Sequence, residues 1–330
     1  MTAARAELIE DGGAAAASEE FFRSHAFLEA EGATHTLKIE SDEGVLVAPL
    51  IVREIEGGLG RDAVSPYGYP GLVGREGRGG LLPDPLASLA PSVRTKTPPP
   101  LDPGGIDFSR TGLVSVFIRH ALGASPLAGA SERNVVQIAD PALPRKSRPS
   151  DRRQVRRNLE AGYELELVLG PETSSGERAG FLDVYEQTMR RTEAAPHYFF
   201  GAGYFDRILK AESTWLILAR GPEGDVAAAS IAVVSDGYLH YYLSGSADSH
   251  LRAAPMKNIV TRLVEHSQEL GLPLNLGGGI SPGDALEEFK RGFANRQQTW
   301  LTSELVCDEE TYARLSAGRD AGGFFPAYRA

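Results

Sequence analysis

Cysteine is nearly absent from these 330 residues: Cys307 stands alone. A lone thiol excludes an internal disulfide framework and a cysteine-built zinc site, and a reducing cytoplasm is the expected setting. Long apolar runs are missing too. Nowhere do about 18 apolar residues follow one another, so no membrane-spanning helix is expected. Met1 to Ala30 lacks the basic start and apolar stretch of a signal peptide. The seven histidines form no i, i+4 pair and no HExxH, so no metal site is expected. No P-loop lysine motif and no G-x-S-x-G elbow occur. Gly58-Leu59-Gly60-Arg61-Asp62-Ala63 fits a dinucleotide glycine pattern by letters, but Pro66 and Pro70 prevent the helix it needs. Gly277-Gly278-Gly279 meets Pro282 where the third glycine should be. What is left is transfer chemistry that needs positioning more than a cofactor, and no cofactor is expected.

What is present reads as a globular chain long enough for two domains, with 42% hydrophobic and 24% charged residues. Net charge is −10, against a general nucleic-acid binder. Yet Arg145, Lys146, Arg148, Arg152, Arg153, Arg156 and Arg157 face only Asp151 in their segment, a local +6 that leaves −16 for the remainder. An acidic body with one basic segment points to a local anionic partner. Two readings stand for that segment: phosphate contacts to a polyanion such as tRNA, or a solvated linker and helix face.

The pattern predicts a hairpin from strands 34–40 and 44–53, then an irregular Gly- and Pro-rich stretch over 74–106. A helix is predicted from Asp107 or Ser109 to Leu122, with Leu113, Val114, Phe117 and Ile118 on one face, and a short strand at 134–138. A helix Asp151–Gly162, a strand at 163–169 and helices over 178–193 and Tyr204–Ala211 follow. Three strands (214–219, 226–234, 238–246) form an antiparallel meander. A helix Pro255–Leu270, a strand 272–277, a helix Ala285–Arg291 and a strand 298–306 complete the order.

Three motifs carry chemistry. In Asp62-Ala-Val-Ser-Pro-Tyr67-Gly-Tyr69-Pro-Gly71 the prolines stiffen a loop that presents two tyrosines, either to a ligand or as packing between domains. Asp62 beside it is a candidate base or a cap of that loop. In Phe289-Lys290-Arg291-Gly292-Phe293, Phe289 faces the core. Lys290 either complements a helix dipole or stands where a carbonyl oxygen becomes an oxyanion. His240-Tyr241-Tyr242-Leu243-Ser244-Gly245-Ser246 ends the meander; alternation puts Tyr241 and Tyr242 on opposite faces, one packed inward and one free to line a groove. Arg191 on the 178–193 helix is placed to meet a phosphate or carboxylate, or is part of a solvated face.

The order helix, three-strand meander, helix, strand, helix, strand is that of the GNAT acyltransferase fold. With SPYGYPG, HYYLSGS, LNLGGG and FKRGF in sequence over about residues 30–306, the chain resembles the Fem-type aminoacyl-tRNA-dependent transferases. The resemblance implies an α+β protein of two GNAT-like domains, 1–145 and 146–330, each a mixed, mostly antiparallel sheet flanked by helices. It implies an aminoacyl-tRNA donor, for which Arg152, Arg153 and Arg156 of the basic segment are the candidate contacts. The acceptor it implies is the amine of a small peptide or nucleotide-linked peptide, a cell-wall precursor or a peptide antibiotic. Lys290, next to Phe289, matches the lysine that assists at the reacting carbonyl. Tyr67, Tyr69, Tyr242 and Ser244 match positions lining the acceptor site, and Arg191 an arginine that binds acceptor phosphate.

Acyl-CoA or carrier-thioester acylation is the rival. In CoA-dependent GNAT enzymes a glycine loop holds the pyrophosphate, whereas here Arg252-Ala-Ala-Pro255-Met-Lys257 removes one amide and adds a bulky side chain. The third reading is a binding protein that has kept the fold without the activity.

Overall fold

The computed structural model describes residues 4–76, 80–81, 99–123 and 125–330. The expected irregular stretch therefore lies largely outside the described residues. The chain forms two compact units, residues 1–133 with 299–330, and residues 134–298. This division differs from the expected break at 145, because the last residues return to the first unit.

The first unit begins with β1 (Ala4–Ile9), α1 (His25–Glu31), β2 (His35–Ser41) and β3 (Gly44–Glu54). It continues with β4 (Arg61–Val64), β5 (Val73–Glu76), β6 (Gly80–Leu81), β7 (Ile106–Asp107) and β8 (Leu113–Arg119). β1, β2, β3 and β4 pair antiparallel in turn, β4 runs parallel to β8, and β7 runs parallel to β1. The expected hairpin is the β2–β3 pair, closed where Ser41 faces Gly44. Leu37, Ile39, Ala48, Leu50, Val116 and Ile118 share one buried cluster.

β8 stands where a helix was expected. Leu113, Val114, Phe117 and Ile118 fit a helical face by spacing, but Val116 is buried as well and Gly112 sits at φ +64°, which stops a helix from entering. A short apolar run flanked by strands on both sides reads the same as a helix by periodicity alone. Asp107 does accept a backbone amide, from Ser109 at 3.0 Å, but in a turn.

The second unit takes up most of β9 (Ser131–Ala139), then α2 (Pro149–Glu160), β10 (Glu164–Leu169), α3 (Ser175–Arg191) and α4 (Ala202–Ile208). β11 (Thr214–Arg220), β12 (Val226–Ser235) and β13 (Tyr238–Ser246) are the expected meander, with β10 on its edge. The β12–β13 turn has Asp236 at φ 50° and Gly237 at φ 74°, the two positive values a tight hairpin needs. α5 (Met256–Leu270), β14 (Leu274–Asn275) and α6 (Ala285–Arg291) follow. α5 buries Ile259, Val260, Leu263 and Val264, the i, i+1, i+4, i+5 face, in a cluster with Ala228 and Ala232 of β12. α3 starts with a capping box between Ser174 and Glu177.

β15 (Arg296–Val306) carries the chain back to the first unit, where Thr302–Val306 pair antiparallel with β8 before α7 (Glu309–Ser316). Both units are thus mixed, mostly antiparallel sheets with flanking helices, the α+β class read from the sequence.

Candidate active site

α6 is set by Asp284. One of its carboxylate oxygens accepts the Glu287 amide at 2.7 Å, and the other accepts the amides of Ile280 (2.7 Å) and Ser281 (2.9 Å). Those bonds hold its carboxyl below the ordinary value, the Glu287 amide first. The segment 277–284 is therefore wrapped on the helix it precedes. Lys290, in the last turn, donates from Nζ to the Gly278 carbonyl at 2.6 Å and is only 8% exposed. Burial lowers its pKa to about 8, opposed in part by the Asp284 charge. Phe289, beside it, packs on the α5 cluster and meets Phe293 edge-on.

The glycine run exists for close approach. A Cβ on Gly277, itself at φ +75°, would lie 3.1 Å from Lys290 Nζ, and one on Gly278 would lie 2.5 Å from Asn134 Nδ2. Asn134 in turn donates to the Gly279 carbonyl at 2.9 Å. Side chains here would displace the ammonium or the asparagine.

Beside Lys290 two parallel strands part. β13 and β14 pair only at Leu239 with Leu274 and His240 with Asn275. Leu276 and Gly277 then stay bonded to Gln137 of β9, while β13 continues with β12 alone to Ser246. His240 uses both ring nitrogens, with Asn275 at 3.0 Å and the Ser235 carbonyl at 3.2 Å, and burial lowers its pKa to about 4. It is a neutral sheet residue.

Between Leu243 and Tyr241 the register to β12 slips, leaving Tyr242 as the extra residue of a bulge. The slip explains how the Tyr241 hydroxyl reaches Ser244, three residues on, at 2.6 Å. Tyr241 packs against the α5 cluster and burial raises its pKa to about 12. Tyr242 turns instead to α4 and shares a 2.8 Å hydrogen bond with the Tyr204 hydroxyl. Arg191 pairs with Asp248 and donates to the Ser246 carbonyl at 3.2 Å and to Thr188 at 3.0 Å, at the end of the same strand.

The start of α5 is closed. Ala254 lies at φ 48° and donates to Leu251, Lys257 donates to Ala254, Asn258 donates to Pro255, and Pro255 has no amide. The Ala253 carbonyl is held by Asn158 (2.8 Å) and Gln154 (3.1 Å) of α2, and Lys257 pairs with buried Asp151 at 2.8 Å. A CoA pyrophosphate would find few amides there to accept, so the residues do not fit that group. The opposite face of α2 exposes Arg152, Arg153, Arg156 and Arg157, none with a carboxylate partner among the described residues. Arg152 bonds the Ser147 carbonyl.

Tyr67, Tyr69 and Asp62 belong to the first unit. Asp62 is wholly buried in β4 and clamped by Arg53 (2.8 Å) and Arg329, one on each carboxylate oxygen. Such a carboxylate is an ion-pair hub, with both oxygens engaged by guanidinium groups. Tyr69 meets Phe22 and Trp300 edge-on at 5.5 and 5.4 Å, and the Tyr67 amide donates to Glu31 at 2.8 Å. Arg119, at the end of β8, lies 5.5 Å from the Tyr67 ring centroid and 5.8 Å from that of Trp300. Sequence reasoning passed over Arg119, Asn134 and Trp300. Arg119 and Trp300 are far apart in the chain, and only strand pairing joins them. Among the described residues no group of His, Cys, Asp and Glu could hold a metal ion, and no helix is long and apolar enough to cross a membrane.

Residues 145–291 match the acetyltransferase (GNAT) domain family. The chain as a whole has a Fem-like GNAT fold. It is similar to FemX with a TM-score of 0.54 at 11% identity, over 84% of this chain and 89% of that one. It is also similar to L-PGS from Bacillus licheniformis, with a TM-score of 0.54 at 12% identity over 92% and 93% of the two chains. A third likeness is to a C-terminal domain designated as that of a lysylphosphatidylglycerol synthetase from Agrobacterium fabrum: TM-score 0.53, 13% identity, 93% and 94% covered. No curated protein sequence matches the chain.

Proposed function

We propose that this acyltransferase moves an amino acid from aminoacyl-tRNA to the amine of a peptide or peptidoglycan-type precursor. The observation that carries the reading is the Lys290 ammonium, buried and tethered at 2.6 Å to Gly278, at the edge of the opening between β13 and β14. The acceptor amine attacks the ester carbonyl and a C–N bond forms. Lys290 donates a hydrogen bond to the oxyanion that develops. The bond between the carbonyl carbon and the ribose oxygen then breaks, and the proton lost by the amine ends on the departing ribose hydroxyl. An oxyanion donor in a water-poor site contributes about 2.7–4 kcal/mol to such a step. Activated esters need little beyond that and orientation.

Two features favour tRNA as donor over CoA: the closed amides at the start of α5, and the unpaired arginine face of α2, which suits a phosphate backbone. N-acylation from acyl-CoA or a carrier-bound thioester remains the second reading, favoured by the acetyltransferase family match itself. The test supplies pure protein with radiolabelled aminoacyl-tRNAs or acyl-CoAs, and peptide amines as acceptors. Transfer from charged tRNA that RNase abolishes is the expected result. Transfer from acyl-CoA that RNase leaves untouched would overturn it.

A further inference from the structure

Arg119, in the first unit, has no counter-charge among the described residues. Its guanidinium carbon lies 5.5, 5.7 and 5.8 Å from the ring centroids of Tyr67, Phe117 and Trp300. Nε is buried with no hydrogen-bond partner, and no carboxylate pairs with the side chain among the described residues. Glu31, the last residue of α1, accepts the Tyr67 amide. The rings are themselves fixed. Trp300 Nε1 donates to the His120 carbonyl at 2.8 Å, Tyr69 abuts Trp300, and Gly68 lets Phe22 press against the loop where a Cβ would stand 2.5 Å from its ring.

Aromatic faces stabilise a cation by about 0.5–2 kcal/mol but satisfy none of its N–H groups. A half-buried guanidinium left with free donors on a rigid platform is arranged to receive a planar pair of oxygens.

We propose that Arg119, backed by Tyr67, Phe117 and Trp300, is an oxyanion-binding site that takes a carboxylate or phosphate group of the acceptor. The reading rests on the proposed function only in assigning the anion to the acceptor. Binding itself is measured without any donor, so failure of one does not imply failure of the other.

Trp215 and Trp300 are the two tryptophans of the sequence, so Trp215→Phe leaves Trp300 as the sole indole reporter. Its emission is followed while inorganic phosphate, acetyl-glycyl-glycine or the C-terminal amide of that peptide is added at constant ionic strength. A saturable change with phosphate, with the free-carboxylate peptide, or with both is expected, and none with the amide. Which anion acts tells a phosphate source from a carboxylate source. Arg119→Lys should weaken the response about tenfold by losing bidentate contact, and Arg119→Gln should abolish it. No saturable change with either anion, or an equal change in both variants, overturns the proposal. Arg119→Lys keeps the charge and the platform, so the test survives if Arg119→Gln folds poorly.

Discussion

Lys290 and Gly278 are joined by a 2.6 Å hydrogen bond in which the ammonium donates to a backbone carbonyl. An ammonium has three donors, and the bond to Gly278 aims the group while leaving others for a reacting oxygen. Lys290→Met keeps the length and apolar stem of the side chain. It should lower transfer about 10²–10³-fold without lowering the melting temperature, since a buried charge replaced by an apolar isostere is often neutral or stabilising. Single-turnover rates and thermal melts check both halves.

The pH dependence follows from the lowered pKa of about 8. The protonated form is the donor, so the rate should hold at neutral pH and fall as pH rises through about 8. Stability should move oppositely. The unfolded state keeps the Lys290 proton until about 10.5, so between pH 8 and 10.5 it binds more protons than the folded state and folding becomes more favourable. Lys290→Met should remove both trends; a rate that keeps its alkaline limb in the variant would take Lys290 out of the titration.

Gly278→Ala should distort the same corner, because its Cβ would sit 2.5 Å from Asn134 Nδ2. Overpacking of this kind typically costs about 1–3 kcal/mol. Asn134→Ala removes the clash, so the double variant should be less destabilised than the sum of the singles by about 0.5 kcal/mol or more. Urea denaturation of the four proteins measures the coupling.

Replacing Arg152, Arg153, Arg156 and Arg157 by Gln should leave the melting temperature unchanged, because all four side chains are exposed and lack carboxylate partners among the described residues. If each meets one phosphate, the slope of log K against log salt for tRNA binding should fall by about 3–4. Filter binding at several salt concentrations gives that slope.

Two buried histidines, His120 and His240, have pKa values lowered to about 4 by burial. The unfolded chain takes up these protons near pH 6.5, so the stability they contribute is present above that pH and is lost as pH falls towards 4. His240→Gln should make the acid limb of a denaturation series shallower. An unchanged limb would mean that His240 is not the group being protonated.

The second unit was legible because its signals are local. α6 was expected at Ala285–Arg291 and α5 at Pro255–Leu270, both close to where they lie, and the tight turn between the last two meander strands falls at Asp236 and Gly237. β8 was not, since a strand buried on both sides shows the same apolar run as a core helix, and its neighbours β4 and β15 lie far along the chain. Lys290 could be singled out from FKRGF, but its hydrogen-bond partner could not. Gly277, Gly278 and Gly279 fail as a nucleotide turn by their letters, and the letters do not show that Lys290, Asn134 and Asp284 respectively occupy the space where their side chains would stand. The bulge at Tyr242 depends on register with β12 and leaves no trace in alternation. Asp62 stood beside a tyrosine loop in sequence, while its partners are Arg53, across the β3–β4 pair, and Arg329, from the far end of the chain.

The return of β15 to β8 has a consequence for how the protein is made. Residues 134–298 are one uninterrupted stretch and can condense while the ribosome is still translating. β8 must wait with one edge bare until Thr302–Val306 emerge. The first half of the gene is therefore expected to yield a fragment prone to self-association, while a fragment covering the contiguous stretch keeps the pairings of β10 to β14 with one another.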